Sequence, residues 1–279
     1  MIIGRRSLSS FSRHGGVFCP GMLFERRFSG AVDIAAGRRY NTGMIRKRNS
    51  SLKIVFFLIF VFTLISCAKE SKRVQPIRVA CVGNSITFGA GLAHRRNDSY
   101  PAVLGRVLGN GYKVGNFGVS GRTALRKSKS SYWNLKEIRR AIIYNPDIVI
   151  IEFGANDSKP ENWRYKDEFE KDYSDLVDVF LNRRVHRKVF ICQPVPAFNN
   201  TYTISDSTIV NEIIPIIENV SKVKKVEVIE LYKAFSGKEK LFLDGIHLNE
   251  EGCALMAKEI YKAITGKEVI DKEAVAKKN

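Results

Sequence analysis

Ile77-Arg78-Val79-Ala80-Cys81-Val82-Gly83-Asn84-Ser85 is an apolar, β-branched run that stops at a glycine and gives way to a turn. It does not alternate apolar with polar residues, as a strand with one wet face would. It therefore fits a strand covered on both faces of a parallel sheet. Tyr112–Val119 (YKVGNFGV), Asp147–Gly154 (DIVIIEFG), Lys188–Gln193 (KVFICQ) and Val226–Leu231 (VEVIEL) repeat the pattern. The gaps carry helical periodicity. Tyr100–Leu108 sets Leu104, Val107 and Leu108 on one face, and Leu135–Tyr144, Glu168–Leu181, Ile209–Val220 and Glu250–Ile264 are amphipathic in the same way. Asn249 is placed to cap the last of these, with Glu250 and Glu251 in the first turn. Strands alternating with helices imply right-handed crossovers, hence an α/β fold: a three-layer α/β/α sandwich on a five-stranded parallel sheet. No repeat and no Pro-, Gly- or Ser-rich linker divides residues 77–265, which we read as one domain followed by a polar tail, 266–279.

Upstream of that domain the sequence has another character. The chain has 279 residues and a net charge of +18. Residues 1–43 hold seven arginines against two acids, and 44–66 hold four basic residues and no acid, so half of the excess charge lies in the first 66 residues. From Met44 the chain reads MIRKRNSSLK, then the apolar stretch Ile54 to Ile65, then Ser66 and Cys67. A basic start, a short apolar core and a small residue before the cut make a signal peptide at 44–66. The apolar stretch falls short of the ~20 residues that span a bilayer. Leu64-Ile65-Ser66-Cys67 resembles the lipobox of bacterial lipoproteins, which implies acylation of Cys67, a tether over 67–76 and membrane attachment through lipid. We expect an exported lipoprotein of the outer membrane, since Ala68 gives no strong reason for retention at the inner one. Residues 1–43 fit no part of this pattern and are expected to be an upstream extension, with translation starting at Met44.

Hydrophobic content of 44% with 27% charged residues fits a globular domain and excludes disorder, collagen and coiled coil. Cys81 and Cys192 sit in strand-like runs and Cys253 in a helical one, so they read as small buried hydrophobes rather than a disulfide framework. No CxxC, no His-x-x-x-His and no Cys/His cluster points to a metal. Gly89-Ala90-Gly91 is too short for a nucleotide-binding loop, and no nucleic-acid reader motif is present. We expect no metal, no cofactor and no nucleic-acid partner.

Chemistry in such sheets gathers at the carboxyl ends of strands. After the first strand stands Gly83-Asn84-Ser85, where a tight turn can present the serine hydroxyl; ordinary turn chemistry explains the same residues. Gly121, after the second strand, can offer an unobstructed backbone N–H or simply enter a helix. Asn156, after the third, can donate its amide to an anion or form a turn. His94 and His186 lie beside arginines and read as exposed. His247 follows Asp244 by three residues before the last helix, where the carboxylate can orient the imidazole.

Ser85, Gly121, Asn156 and His247 in this order and setting resemble the four blocks of the GDSL, or SGNH, hydrolases, over Ile77 to Ile264. The resemblance implies a flavodoxin-like fold, with Ser85 as nucleophile, His247 as general base and Asp244 orienting it. It implies an oxyanion hole from the backbone N–H groups of Ser85 and Gly121 and the Asn156 amide. The family's usual acid before the serine is Asn84 here. The chemistry implied is hydrolysis of an ester through an acyl-enzyme.

Lys159–Tyr165 (KPENWRY) and Pro194–Tyr202 (PVPAFNNTY) follow the third and fourth strands and would rim the cleft. Trp163, Tyr165, Phe198 and Tyr202 could stack on sugar rings, with Arg164, Asn199 and Asn200 bonding hydroxyls or a carboxylate; packing of the loops explains them equally well. These segments resemble exported carbohydrate acetylesterases of the sialate type, so the expected activity is removal of O-acetyl groups from a carbohydrate. A broader arylesterase, thioesterase or lysophospholipase of the same fold is the alternative. A non-catalytic glycan-binding lipoprotein is a third reading, against which the intact Ser85, Asp244, His247 and Asn156 stand.

Overall fold

A computed structural model describes residues 53–57, 75–182, 187–199 and 202–269. Cys67, the extension 1–43, His186, Asn200 and most of the expected signal peptide, tether and polar tail lie outside the described residues. Residues 53–57 are helical with exposed side chains, and no helix among the described residues is long and apolar enough to cross a membrane.

From residue 75 onward strands and helices alternate. The strands are β1 (Ile77–Gly83), β2 (Tyr112–Gly118), β3 (Ile148–Glu152), β4 (Lys188–Cys192) and β5 (Glu227–Ile229), all parallel, in the order β2-β1-β3-β4-β5. The principal helices are α1 (Ser85–Phe88), α2 (Tyr100–Leu108), α3 (Lys136–Ile143), α4 (Phe169–Leu181), α5 (Ile214–Lys224) and α6 (Glu250–Thr265).

Successive strand residues point to opposite faces, and the core divides accordingly. Ala80, Val82, Val149, Ile151, Val189 and Ile191 share a cluster with the inward faces of α3, α4 and α5. Val79, Cys81, Ile148, Ile150, Phe190 and Cys192 share one with α2 and α6. Each large apolar side chain so buried contributes about 1.5–3 kcal/mol, which is why β1, β3 and β4 carry unbroken apolar runs. The edge strands differ from the expectation of burial on both faces. In β2 only Phe117 and Gly118 are buried, and in β5 only Ile229, because among the described residues neither strand has a neighbour beyond it.

The helix expected from Ile209 is interrupted. A π turn over Ile209–Ile213 precedes α5, whose second residue, Pro215, has no N–H to give to the preceding turn. By contrast α6 starts as expected, with the Asn249 side chain accepting the Gly252 amide at 2.9 Å.

Chain order reverses between β1 and β3, so a crevice opens at their carboxyl ends. Gly83 is level with Gly118 of β2 and with Glu152 of β3. Ser85, Gly121 and Asn156 therefore leave three adjacent strands at the same height.

Candidate active site

Ser85 is the first residue of α1, a single turn whose cap is Asn84: the Asn84 side chain accepts the Ile86 amide at 2.8 Å. This sharp strand-to-helix turn leaves Ser85 8% exposed at the crevice floor. Gly121 stands at φ +76°, a left-handed conformation that an L side chain adopts only with strain. The Asn156 amide donates to the carbonyl of Arg122, the next residue, at 3.2 Å. That uses one of its two amide hydrogens and ties the loop after β3 to the loop after β2.

Asp157 fastens the same corner. One of its oxygens accepts the Leu125 amide at 2.9 Å and the other the Gly154 amide at 3.1 Å. Burial pushes this carboxyl up, backbone N–H donors pull it down, and it rests at about 7. Neither this clasp nor the buried Glu152 at the end of β3 was apparent from sequence. The acid directly after Asn156 was the available signal for the first.

Opposite Ser85, the segment before α6 supplies the imidazole. His247 Nε2 lies 3.1 Å from Ser85 Oγ, and His247 Nδ1 lies 2.7 Å from Asp244 Oδ2. Asp244 Oδ1 accepts the amides of Ile246 at 3.0 Å and His247 at 2.7 Å. Burial works against the charged form of Asp244, but the amide and ring of His247 and the amide of Ile246 outweigh it and hold the carboxyl at about 2. Asp244 is thus ionised across the neutral range and fixes the ring so that its other nitrogen meets the serine. Hydroxyl, imidazole and carboxylate within hydrogen-bond reach form the relay that activates a weak nucleophile.

The loop after β4 braces this relay. Phe198 N donates to the Gly245 carbonyl at 3.0 Å, and the Asn199 amide donates to the Asp244 carbonyl. The Tyr202 hydroxyl donates to Asp244 Oδ2 at 3.2 Å, and its ring meets the His247 ring edge-on at 5.3 Å between centroids.

A family model described as the GDSL-like lipase/acylhydrolase family matches residues 81–255, from β1 to α6. The chain belongs to that family. An acetylxylan esterase of Xylanibacter ruminicola is 40% identical over 208 residues, which are 68% of this chain and 43% of the relative. The chain thus spans less than half the length of that curated relative. Among solved structures, a carbohydrate acetylesterase from Sinorhizobium meliloti aligns with a TM-score of 0.58 at 21% identity, over 68% of this chain and 99% of the other. A lipase/acylhydrolase from Enterococcus faecalis aligns with a TM-score of 0.58 at 23% identity, over 68% and 96%. At such identities these structures establish the shared fold.

Within this GDSL-like domain the residues expected to meet a substrate divide. Trp163 is a correction: it is a core residue, 8% exposed and T-shaped against Phe169, so its ring offers no face to a sugar. Arg164 is exposed and lies over the Tyr165 ring. Phe198 is half-buried and T-shaped against Phe242, and Asn199 is exposed beside the Asp244 backbone. His94 is exposed. Cys81, Cys192 and Cys253 are free and buried, and burial pushes their thiols up, Cys81 and Cys253 to about 12. Among the described residues no group of three or more His, Cys, Asp or Glu could hold a metal ion.

Proposed function

We propose that this chain is a serine esterase that removes O-acetyl groups from carbohydrates through an acyl-enzyme. The observation that carries the reading is the Ser85–His247–Asp244 relay, with spacings of 3.1 and 2.7 Å. In the first half-reaction His247 Nε2 takes the Ser85 proton as Oγ attacks the acetyl carbonyl. The Ser85 and Gly121 N–H groups and the Asn156 amide receive the developing oxyanion. The ring then gives the proton to the departing sugar oxygen. Water, deprotonated by the same nitrogen, releases acetate in the second half-reaction. The kinship with an acetylxylan esterase supports acetyl as the acyl group and carbohydrate as the alcohol.

The test is hydrolysis of p-nitrophenyl acetate, butyrate and octanoate, followed by acetate release from acetylated xylan. The reading expects kcat/KM for the acetate ester to exceed that for octanoate by about tenfold or more, the discrimination a pocket that fits only a short chain can supply. Preference for octanoate would favour a lipid or thioester substrate, and inertness toward every ester would favour glycan binding without catalysis.

We propose further that the protein is exported and anchored by lipid on Cys67. The basic residues 46–48, the apolar run 54–65 and the Leu64-Ile65-Ser66-Cys67 segment support this. Cells fed radiolabelled palmitate should yield labelled protein whose label vanishes in Cys67→Ala. A parent that stays unlabelled would overturn the anchor.

A further inference from the structure

Behind Ser85 lies a carboxyl that takes no part in the relay. Glu152, the last residue of β3, is fully buried. Its Oε1 accepts the Asn84 amide at 3.2 Å, and its Oε2 accepts the Thr87 hydroxyl at 3.4 Å. One carboxylate therefore grips the turn on both sides of Ser85, at residues 84 and 87. Thr87 Oγ1 is 3.1 Å from the Tyr100 hydroxyl, which can supply its proton to Thr87 while Thr87 donates to Glu152. Gly83 keeps the space open: a Cβ there would come within 2.2 Å of Thr87 Oγ1 and 2.6 Å of the Glu152 carbonyl oxygen.

The donors and acceptors of this network determine which side chain can occupy each position. Asn84 uses its oxygen for the Ile86 amide and its NH2 for Glu152. When ionised, an aspartate at 84 could accept from Ile86 but would have no proton for Glu152, and two carboxylates about 3 Å apart repel each other unless they share one proton. Among the described residues the other titratable groups that act on Glu152 are Asp157, Tyr100, Tyr173 and Cys192, none of them a cation. Asn84 also departs from the acid that the GDSL pattern places before the serine, and the acid missing there stands across the turn.

We propose that Glu152 is a positioning residue for Ser85 and that Asn84 and Glu152 form an exchanged amide–carboxylate pair, the carboxylate that braces the nucleophile turn being supplied from β3. This rests on Ser85 being the nucleophile. Burial pushes the Glu152 carboxyl up, Asn84 and Thr87 hold it down, and it rests at about 7, so a second carboxylate alongside would be tolerated only when one proton is shared.

The test compares the parent with Asn84→Asp, Glu152→Gln, the double variant and Ser85→Ala on p-nitrophenyl acetate from pH 5.5 to 8.5, with melting temperatures alongside. Asn84→Asp is expected to lose about 10- to 100-fold in kcat at pH 8, the scale of a small misplacement of a reacting group, with KM within about threefold. Its ratio to the parent should recover toward pH 6, as one proton comes to be shared. Glu152→Gln should lose only a few-fold, because Gln can still accept from Asn84. The double variant should return to within about fivefold of the parent at every pH: its new aspartate accepts from Ile86 and from the amide of its new glutamine, whose oxygen accepts from Thr87. Parental kcat in Asn84→Asp, or a double variant no faster than Asn84→Asp, would overturn the pairing. If Asn84→Asp does not fold, the double variant decides alone, near-parental kcat supporting the exchange and a lost one refuting it. An active Ser85→Ala would instead bring down the proposed function itself.

Discussion

Ser85→Ala should reduce kcat for p-nitrophenyl acetate by roughly 10⁴- to 10⁶-fold, the scale on which serine hydrolases lose activity without their nucleophile. The substitution removes the atom that would bond to the acyl carbon, and His247 Nε2 loses the hydroxyl that stands 3.1 Å away. Nothing nearby replaces it. Thr87, the nearest hydroxyl along α1, is fully buried and bonded to Tyr100 and Glu152. What the variant keeps is Gly121, Asn156 and the shape of the crevice, so residual turnover above the buffer rate is expected. Its melting temperature should stay within a degree or two of the parent's, because the change removes a single oxygen, whose hydrogen bond is to His247, and no apolar packing. Hydrolysis within tenfold of the parent would remove Ser85 from the mechanism, and with it the acyl-enzyme.

Much of this arrangement is legible in the chain itself. Apolar runs free of alternation identify β1, β3 and β4 because burial on both faces leaves few positions for a polar side chain. The same rule overreached at β2 and β5, where an edge position exposes residues that the pattern counts as inward. Ser85 and His247 are legible because a hydroxyl at a strand end and an imidazole three residues after an acid at a helix mouth stand out in the chain, and the structure brings them to 3.1 Å. Gly121 and Asn156 stand at strand ends in the same way, and their oxyanion role belongs to the proposed function. What escaped was the support behind them. Glu152 lies inside the apolar run DIVIIEFG, where a single acid gives no sign of whether it faces solvent or a hidden amide. Trp163 misled in the opposite direction: an aromatic in a loop segment rich in polar residues resembles a sugar platform, yet its ring completes the packing around Phe169. Tyr202 stands out in the chain only as an aromatic, and its hydroxyl on Asp244 depends on how the loop after β4 folds back on the segment before α6, which no local pattern encodes.

Asn156→Ala carries the second large effect, an expected loss of roughly 100- to 1,000-fold in kcat, the usual consequence of deleting one oxyanion donor. Asn156 is 4% exposed, and its amide already holds the Arg122 carbonyl at 3.2 Å, so the donor is fixed before a substrate arrives and needs no reorganisation during reaction. Two bonds are lost together in the alanine variant: the one proposed to the oxyanion and the tie to the Arg122 carbonyl, next to Gly121. Asn156→Asp separates electrostatics from shape, since it keeps the size of the side chain while turning a donor into a charged acceptor. It should be at least as slow as the alanine variant on p-nitrophenyl acetate. KM should move only a few-fold in both, because the negative charge on the carbonyl oxygen develops in the transition state and the ground-state ester asks little of the donor. The Asp157 clasp on Leu125 and Gly154 is untouched by either change, so the loops after β2 and β3 should stay together. A variant with full kcat and a raised KM would make Asn156 a substrate-binding residue, and the oxyanion would then have to rest on the N–H groups of Ser85 and Gly121 alone.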